Sequence, residues 1–290
     1  MSGTVKFAFD VASLGSLYAL MALGLVLVYG ILRLVNFAYG ELIMITGYSL
    51  YLLGGSPLPW FVMAALAVLA AIAASVLTER VAFRPVREKS LTAMLITSFA
   101  VSTLFQNAAL LFVSPRARVV PLPELFTESV TIGGALFQVR DILAIVVSIV
   151  MLVGFTLLLN RTVLGIALRA AADNFRMTRM LGVPANLVIS TAFAISGFLA
   201  GTVALFWLGR TASVTPGIGL EPLIVAFVAT VLGGMHSLVG AVVGGYALAL
   251  MTVGINSFLP QALVDYRQAF VFGLVILVLL VRPEGLVRAR

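Results

Sequence analysis

The chain alternates long apolar runs with short polar segments. Continuous apolar stretches fall near 11–31, 36–53, 59–78, 91–113, 141–159, 186–208, 238–258 and 268–282, with a shorter one at 221–235. None follows the period of two that a membrane barrel strand requires. At 1.5 Å per residue, roughly 20 residues cross the hydrocarbon of a bilayer. The pattern predicts an all-α polytopic membrane protein, a bundle of about eight transmembrane helices. The 221–235 run is then a ninth span or a half-span, so one or more broken or half-spans are expected. No soluble domain or low-complexity tract interrupts the pattern, and 1–290 reads as a single membrane domain.

Composition agrees. The chain is 62% hydrophobic and 10% charged, whereas soluble domains carry about 25% charged residues. Such a chain cannot cover itself with a polar surface, and its backbone must be satisfied inside helices. There is no cysteine, hence no disulfide framework or thiolate metal site. The apolar run after MSGTVKFAFD is too long for a cleavable signal.

The net charge of +7 does not point to nucleic acid. The arginines sit in short loops, as topology signals do. The segments 79–90 and 161–184, the tail from Arg282 and Arg33 together hold 12 of the 18 basic residues. That side is expected to be cytoplasmic, with the N-terminus outside if 221–235 crosses. The 114–140 segment, with three prolines and a Gly133-Gly134 turn signal, reads as an outer loop: a connector, or a docking surface for an external partner.

Three stretches break the apolar pattern. In VLGGMHSLVGAVVGG (231–245), Gly233-Gly234 before Ser237 suit a broken helix or tight turn. Gly240 and Gly244 suit close helix packing. His236 alone reads as a loop or interface histidine rather than a ligand. In VNFAYGELIMITGY (35–48), Asn36, Gly40 and Glu41 stand at the entry to a span. An ionisable group inside a span points to function. Near the interface it instead pairs with Arg33 or caps the helix start, and closeness to Arg33 favours this second placement. Asn36 has the character of an N-cap.

The third stretch, GIALRAAADNFRMTRMLGVPANL (165–187), is soluble in character. Leu164, Leu168, Ala171, Phe175 and Leu181 share one side of a helix, and Arg169, Asp173 and Arg176 another. Arg169 and Asp173 are spaced to pair at i, i+4. Gly182 and Pro184 end the helix. This amphipathic helix either lies on anionic lipid or fits a partner's groove.

No phosphate-cradling GxxxxGK[ST] occurs, nor HExxH or GxSxG. The chain is therefore not expected to hydrolyse ATP or to catalyse covalent chemistry, and a membrane enzyme is disfavoured.

Taken in order, VNFAYGELIMITGY, GIALRAAADNFRMTRMLGV, FVATVLGGMHSLVGAVVGG and LLVRPEGL resemble permease subunits of bacterial branched-chain amino-acid ABC importers, over nearly the whole chain. The resemblance implies a multi-pass subunit of the bacterial inner membrane that moves leucine, isoleucine, valine or a related amino acid. It implies a second permease subunit, two cytoplasmic ATPase subunits and a periplasmic substrate-binding protein as partners, beside the lipid bilayer, with no nucleic acid. No cofactor is expected in this chain; ATP and Mg would be bound by the partner subunits. The 161–184 segment becomes the cytoplasmic coupling loop, with Gly165, Leu168, Arg169, Ala172, Asp173, Phe175, Arg176 and Gly182 as its candidate residues. Asn36, Gly40, Glu41, Gly233, Gly234, Ser237, Gly240 and Gly244 are candidates for the translocation path or a helix break. Relatives that carry urea or short amides leave that cargo as an alternative, and a secondary transporter or channel without ATPases is a further one.

Overall fold

The computed structural model describes residues 2–87, 89–132, 135–235 and 237–287. His236, the Gly133-Gly134 pair, Arg288 and Arg290, and the side chain of Arg176, lie outside the described residues. The helices run α1 Ser2–Leu32, α2 Tyr39–Leu53, α3 Trp60–Leu77, α4 Leu91–Phe112, α5 Val139–Arg161, α6 Val163–Met180, α7 Ala185–Thr211, α8 Leu220–Gly233, α9 Leu238–Phe258 and α10 Arg267–Val281. Among the described residues, seven helical segments are long and apolar enough to cross a bilayer, and α8, with 14 residues, is a shorter apolar helix. The chain is a polytopic helical membrane protein.

Local sequence sets several boundaries. Ser90, Thr162 and Ser237 each accept a hydrogen bond from the backbone N–H three residues on, at 3.0 Å, and so start α4, α6 and α9. Gly182, at φ +85°, ends α6 in the left-handed conformation that glycine adopts without strain. The apolar run at 36–53 becomes helical only at Tyr39. Its N-cap is Ala38 rather than Asn36. The Asn36 Oδ1 accepts from the Ala38 N–H at 3.1 Å and shapes the turn before the helix.

The segment 114–140, expected as an outer loop, carries short strands. β1 (Arg118–Val119) pairs antiparallel with β4 (Ser213–Val214), and β2 (Ser129–Ile132) with β3 (Ala135–Gln138). β1 finds its partner about a hundred residues away, which no local pattern announces.

The chain forms two compact units. One comprises residues up to Val26, Glu124–Val150 and those from Val225 onward; the other comprises Leu27–Pro123 and Met151–Ile224. In the second, α3 and α7 pack at small residues. A Cβ on Gly197 would lie 2.8 Å from the Ser75 side chain, and one on Gly201 3.2 Å from that of Ala71. Ser75 Oγ donates to the Phe193 carbonyl at 2.7 Å, a polar tie between apolar helices. α3 then widens into a π-helical turn, Thr78–Phe83. At the opposite end of this unit, Trp60 Nε1 donates to the Pro121 carbonyl at 3.1 Å.

In the first unit, α9 packs on α1 through Gly245, whose Cβ would stand 2.5 Å from the Ala19 nitrogen. Thr230 Oγ1 on α8 satisfies itself on the Ala226 carbonyl at 2.7 Å, as a hydroxyl inside a span must. The tail returns to the end of α8: the N–H of Leu286 donates to the Leu232 carbonyl at 2.8 Å, and that of Val287 to the Gly233 carbonyl at 3.2 Å.

Candidate translocation and coupling sites

Along α2 three glycines face a neighbouring length of chain. A Cβ on Gly54 would meet Pro121, one on Gly47 would meet Val214, and one on Gly40 would overlap the Gly219 carbonyl. Gly47 and Gly40 are seven residues apart, about 10 Å of helix. Residues 214–219 therefore run down α2 as non-helical backbone, turning at Thr215–Ile218, where the Ile218 N–H donates to the Thr215 carbonyl at 3.2 Å. Such backbone is tolerated at membrane depth only where protein encloses it. α8 starts beside Gly40. It is the shorter apolar helix that covers the 221–235 run.

Glu41 follows directly. It is buried, 2% exposed. Its Oε1 accepts from Ser102 Oγ at 2.9 Å and from Gln106 Nε2 at 2.7 Å, both on α4. The expected pairing with Arg33 does not form. Arg33, at φ +55° just past the end of α1, donates through Nη2 to the Ala172 carbonyl at 3.0 Å. Phe37 stacks on Phe99 of α4, centroids 4.0 Å apart, beside this polar contact.

The glycine-rich stretch holds a turn and a close helix contact. Gly234, at φ +107°, breaks the chain between α8 and α9. A Cβ on Gly233 would overlap the Gly240 carbonyl, and one on Gly244 the Ala229 carbonyl. The two helices thus touch backbone to backbone. Ser237 supplies the cap of α9.

α6 differs from expectation in three ways. First, it is not one rod: Asn174 sits at φ −149°, ψ 92°, outside helical values. Its side chain accepts from the Met177 N–H at 3.0 Å, so Asn174 caps a second short helical segment. Arg33 reaches the Ala172 carbonyl two residues before the break. Secondly, Arg169 does not pair with Asp173; its Nη1 donates to Asn160 Oδ1 at 2.9 Å. Asp173 is exposed. Thirdly, the apolar side holding Leu168 and Ala171 is buried within this chain rather than left for a partner. Phe175 is half-buried, and Gly165 fits closely against the backbone of Leu158 and Leu159. The exposed apolar residues lie beyond the break: Met177, Met180 at 77% and Leu181 at 81% exposure.

Sequence reasoning missed one further cluster. Glu79, in the π-helical turn, is 0% exposed although it reads as a loop charge. Its Oε2 accepts from Ser190 Oγ at 2.6 Å, and its Oε1 lies 3.8 Å from Arg87 Nη1. Arg87 also donates to Asn186 Oδ1 in the first turn of α7. A π turn among charged residues was the available signal only in hindsight, because π-helical turns have no sequence pattern of their own. Among the described residues, no group of three histidine, cysteine or carboxylate side chains gathers to hold a metal.

The described residues thus form a helical membrane bundle with one shorter apolar helix, α8, and an amphipathic helix, α6. The family model described as branched-chain amino acid transport system / permease component matches residues 7–279, and the chain belongs to that family. It is 36% identical to the high-affinity branched-chain amino acid transport system permease protein BraD of Pseudomonas aeruginosa, over 94% of this chain and 92% of that one. It is 33% identical to the corresponding permease protein LivH of Escherichia coli K12, over 96% and 93%. The fructose import permease protein FruF of Bifidobacterium longum is similar over 39% of this chain only, at 34% identity.

Proposed function

We propose that this chain is the membrane-spanning subunit of an ATP-driven importer that carries branched-chain amino acids across a bacterial inner membrane. The support is the end-to-end similarity to two permease proteins named for that transport. The complex would contain a second permease subunit, two cytoplasmic ATPases that hold ATP and Mg, and a periplasmic binding protein. This chain performs no covalent chemistry; its work is to change which side of the membrane the path faces.

The observation that carries the coupling part of the proposal is the break in α6. The segment before Asn174 is anchored in the chain by Leu168 and Ala171, while 175–181 presents Met177, Met180 and Leu181 outward. An apolar tip on an anchored base suits a groove in an ATPase. Methionine side chains adapt to such grooves at low cost. Arg33 ties the break to the corner between α1 and α2. Arg87 ties the start of α7, which follows α6 after a short turn, to Glu79 at the end of α3. Motion of the tip is thereby transmitted to α1–α2 and to the packed α3–α7 pair. Gly165, Arg169, Ala172, Asp173 and Gly182 shape and orient this element.

An affinity pull-down from mild detergent, with mass spectrometry of the co-purified chains, tests the reading. Recovery of one or two ATPases and a second permease is expected. Recovery of this chain alone, where a control complex stays intact, would point to a transporter or channel that works without ATPases.

A further inference from the structure

In the second unit, Glu41 Oε2 and the Tyr39 and Tyr48 hydroxyls on α2 are buried without a hydrogen-bond partner among the described residues, and Glu41 is the carboxylate of the three. Several hydroxyls within the helices close onto carbonyls of their own or a packed helix, as Thr46 does on the Leu42 carbonyl at 2.8 Å and Ser75 on that of Phe193 at 2.7 Å. Glu79 has an arginine beside it. Glu41 has two neutral donors on one oxygen, Ser102 and Gln106, and nothing on the other. Its Oε2 is buried with no hydrogen-bond partner among the described residues. No described side-chain cation stands within ion-pair distance of Glu41.

A carboxylate buried in this way is expensive. Taking an ionised group out of water costs several kcal/mol or more unless it is paired. Neutral donors on one oxygen recover part of that cost and hold the group in one orientation, with the second oxygen open. The neighbouring residue Gly40 lies against Gly219, and Glu221 follows two residues later in the first turn of α8. This is also where the non-helical stretch 214–219 ends and α8 begins. Protein backbone that leaves helical geometry inside a membrane lines a path or is buried by one.

We propose that Glu41 is a cation-binding residue of the translocation path, and that its open Oε2 receives the primary ammonium group of the cargo where α2 crosses the start of α8. The inference rests on the amino-acid import reading, because a branched-chain amino acid is a zwitterion whose one ammonium group, beside its α-carboxylate, is joined to an apolar side chain. A uniformly apolar path would accept the side chain and reject the charged end. One carboxylate at mid-path offsets the desolvation of that end through a charge-assisted hydrogen bond. Ser102 and Gln106 are then positioning residues. They hold Oε1, so that Oε2 faces the cargo, and they sit on α4, a mostly exposed helix whose polar tie to α2 is this same carboxylate. Opening between α4 and α2 uncovers Oε2; closing hides it, which is the buried state described above. No bond is made or broken. The ammonium is exchanged between water, carboxylate and water.

The test uses the whole complex in proteoliposomes, with binding protein on one side and ATP on the other. Uptake of radiolabelled leucine and ATP hydrolysis stimulated by the binding protein are read together. Glu41→Gln keeps the shape and one acceptor but removes the charge. It is expected to lower uptake by about tenfold or more, with stimulated hydrolysis within about twofold of the unsubstituted complex and the subunits still assembled. Glu41→Asp is expected to fall between the two. Uptake by Glu41→Gln at the unsubstituted rate would overturn the proposal.

A second measurement needs no substitution. Dicyclohexylcarbodiimide, an apolar reagent for buried carboxyl groups, is applied to the complex during turnover, and its adduct on Glu41 is quantified by mass spectrometry. Leucine is expected to suppress the adduct, and 4-methylpentanoate, which lacks the ammonium, is expected not to. Equal suppression by both, or by neither, would overturn the proposal even if Glu41→Gln fails to assemble. The two levels of failure are distinguishable. An unsubstituted complex that imports no amino acid removes the import reading and the proposal with it. An importing complex indifferent to Glu41 removes only the proposal.

Discussion

Gly40 on α2 and Gly219 before α8 touch backbone to backbone: a Cβ on either would overlap the carbonyl of the other. That contact fixes where α8 begins, and it places Glu41 beside non-helical chain. Helices without a hydrophobic drive to associate in lipid use such small residues to approach closely.

Gly40→Ala or Gly219→Ala must push the two backbones apart. Overpacking of this kind costs about 1–3 kcal/mol, which lowers the apparent Tm of the purified protein by roughly 2–8 °C. Gly254→Ala on α9, where a Cβ meets nothing within 4 Å, is the control. It is expected to leave Tm unchanged or raise it slightly, since alanine is favoured over glycine in a helix by about 1 kcal/mol. Thermal unfolding in one detergent checks both.

Asn174 holds the break in α6 by capping Met177. Asn174→Ala removes the cap, worth about 1 kcal/mol, and permits the helix to run through. The tip at 177–181 then rotates away from its present aspect. Weaker recovery of the ATPase in a pull-down is expected, with normal insertion of the permease. Unchanged ATPase recovery would show that the break does not orient the tip.

Met180→Glu and Leu181→Glu place charge on residues that are exposed in the isolated chain. A surface free of partners tolerates such changes within about 0.5 kcal/mol. A docked surface does not. Expression and Tm are expected to hold, while ATPase recovery and uptake fall together.

Arg87→Ala leaves Glu79 fully buried, with Ser190 as its hydrogen-bond donor. Breaking a buried pair from one side costs about 3–5 kcal/mol, so a clear drop in Tm is expected. Adding Glu79→Gln to Arg87→Ala is expected to recover part of it, because no charge is then stranded. A double variant no more stable than Arg87→Ala would mean that Glu79 is not held by its charge.

The sequence made some of this legible and not the rest, for physical reasons. Apolar runs announce spans because lipid selects length and composition directly. Gly182 and the Gly233-Gly234 break act within three or four residues, so local pattern reports them. The side on which α6 buries Leu168 and Ala171 also followed from periodicity. The partners of Glu41 did not: Ser102 and Gln106 stand 61 and 65 residues away, on a helix whose facing nothing local fixes. Proximity in sequence favoured Arg33, but a turn with Arg33 at positive φ sends that side chain to Ala172 instead. Asn174 was hidden because the apolar periodicity of 163–180 continues across it. Glu79 reads as a loop charge because the π-helical turn that carries it inward has no pattern of its own.

The measurement that bears most directly on the central claim is leucine uptake into proteoliposomes holding the whole complex, with binding protein outside and ATP inside. Uptake that requires both, and that persists when every ion gradient is collapsed, is the result expected of an ATP-driven importer of branched-chain amino acids. Uptake that continues without ATP and stops when an ion gradient is removed would contradict it.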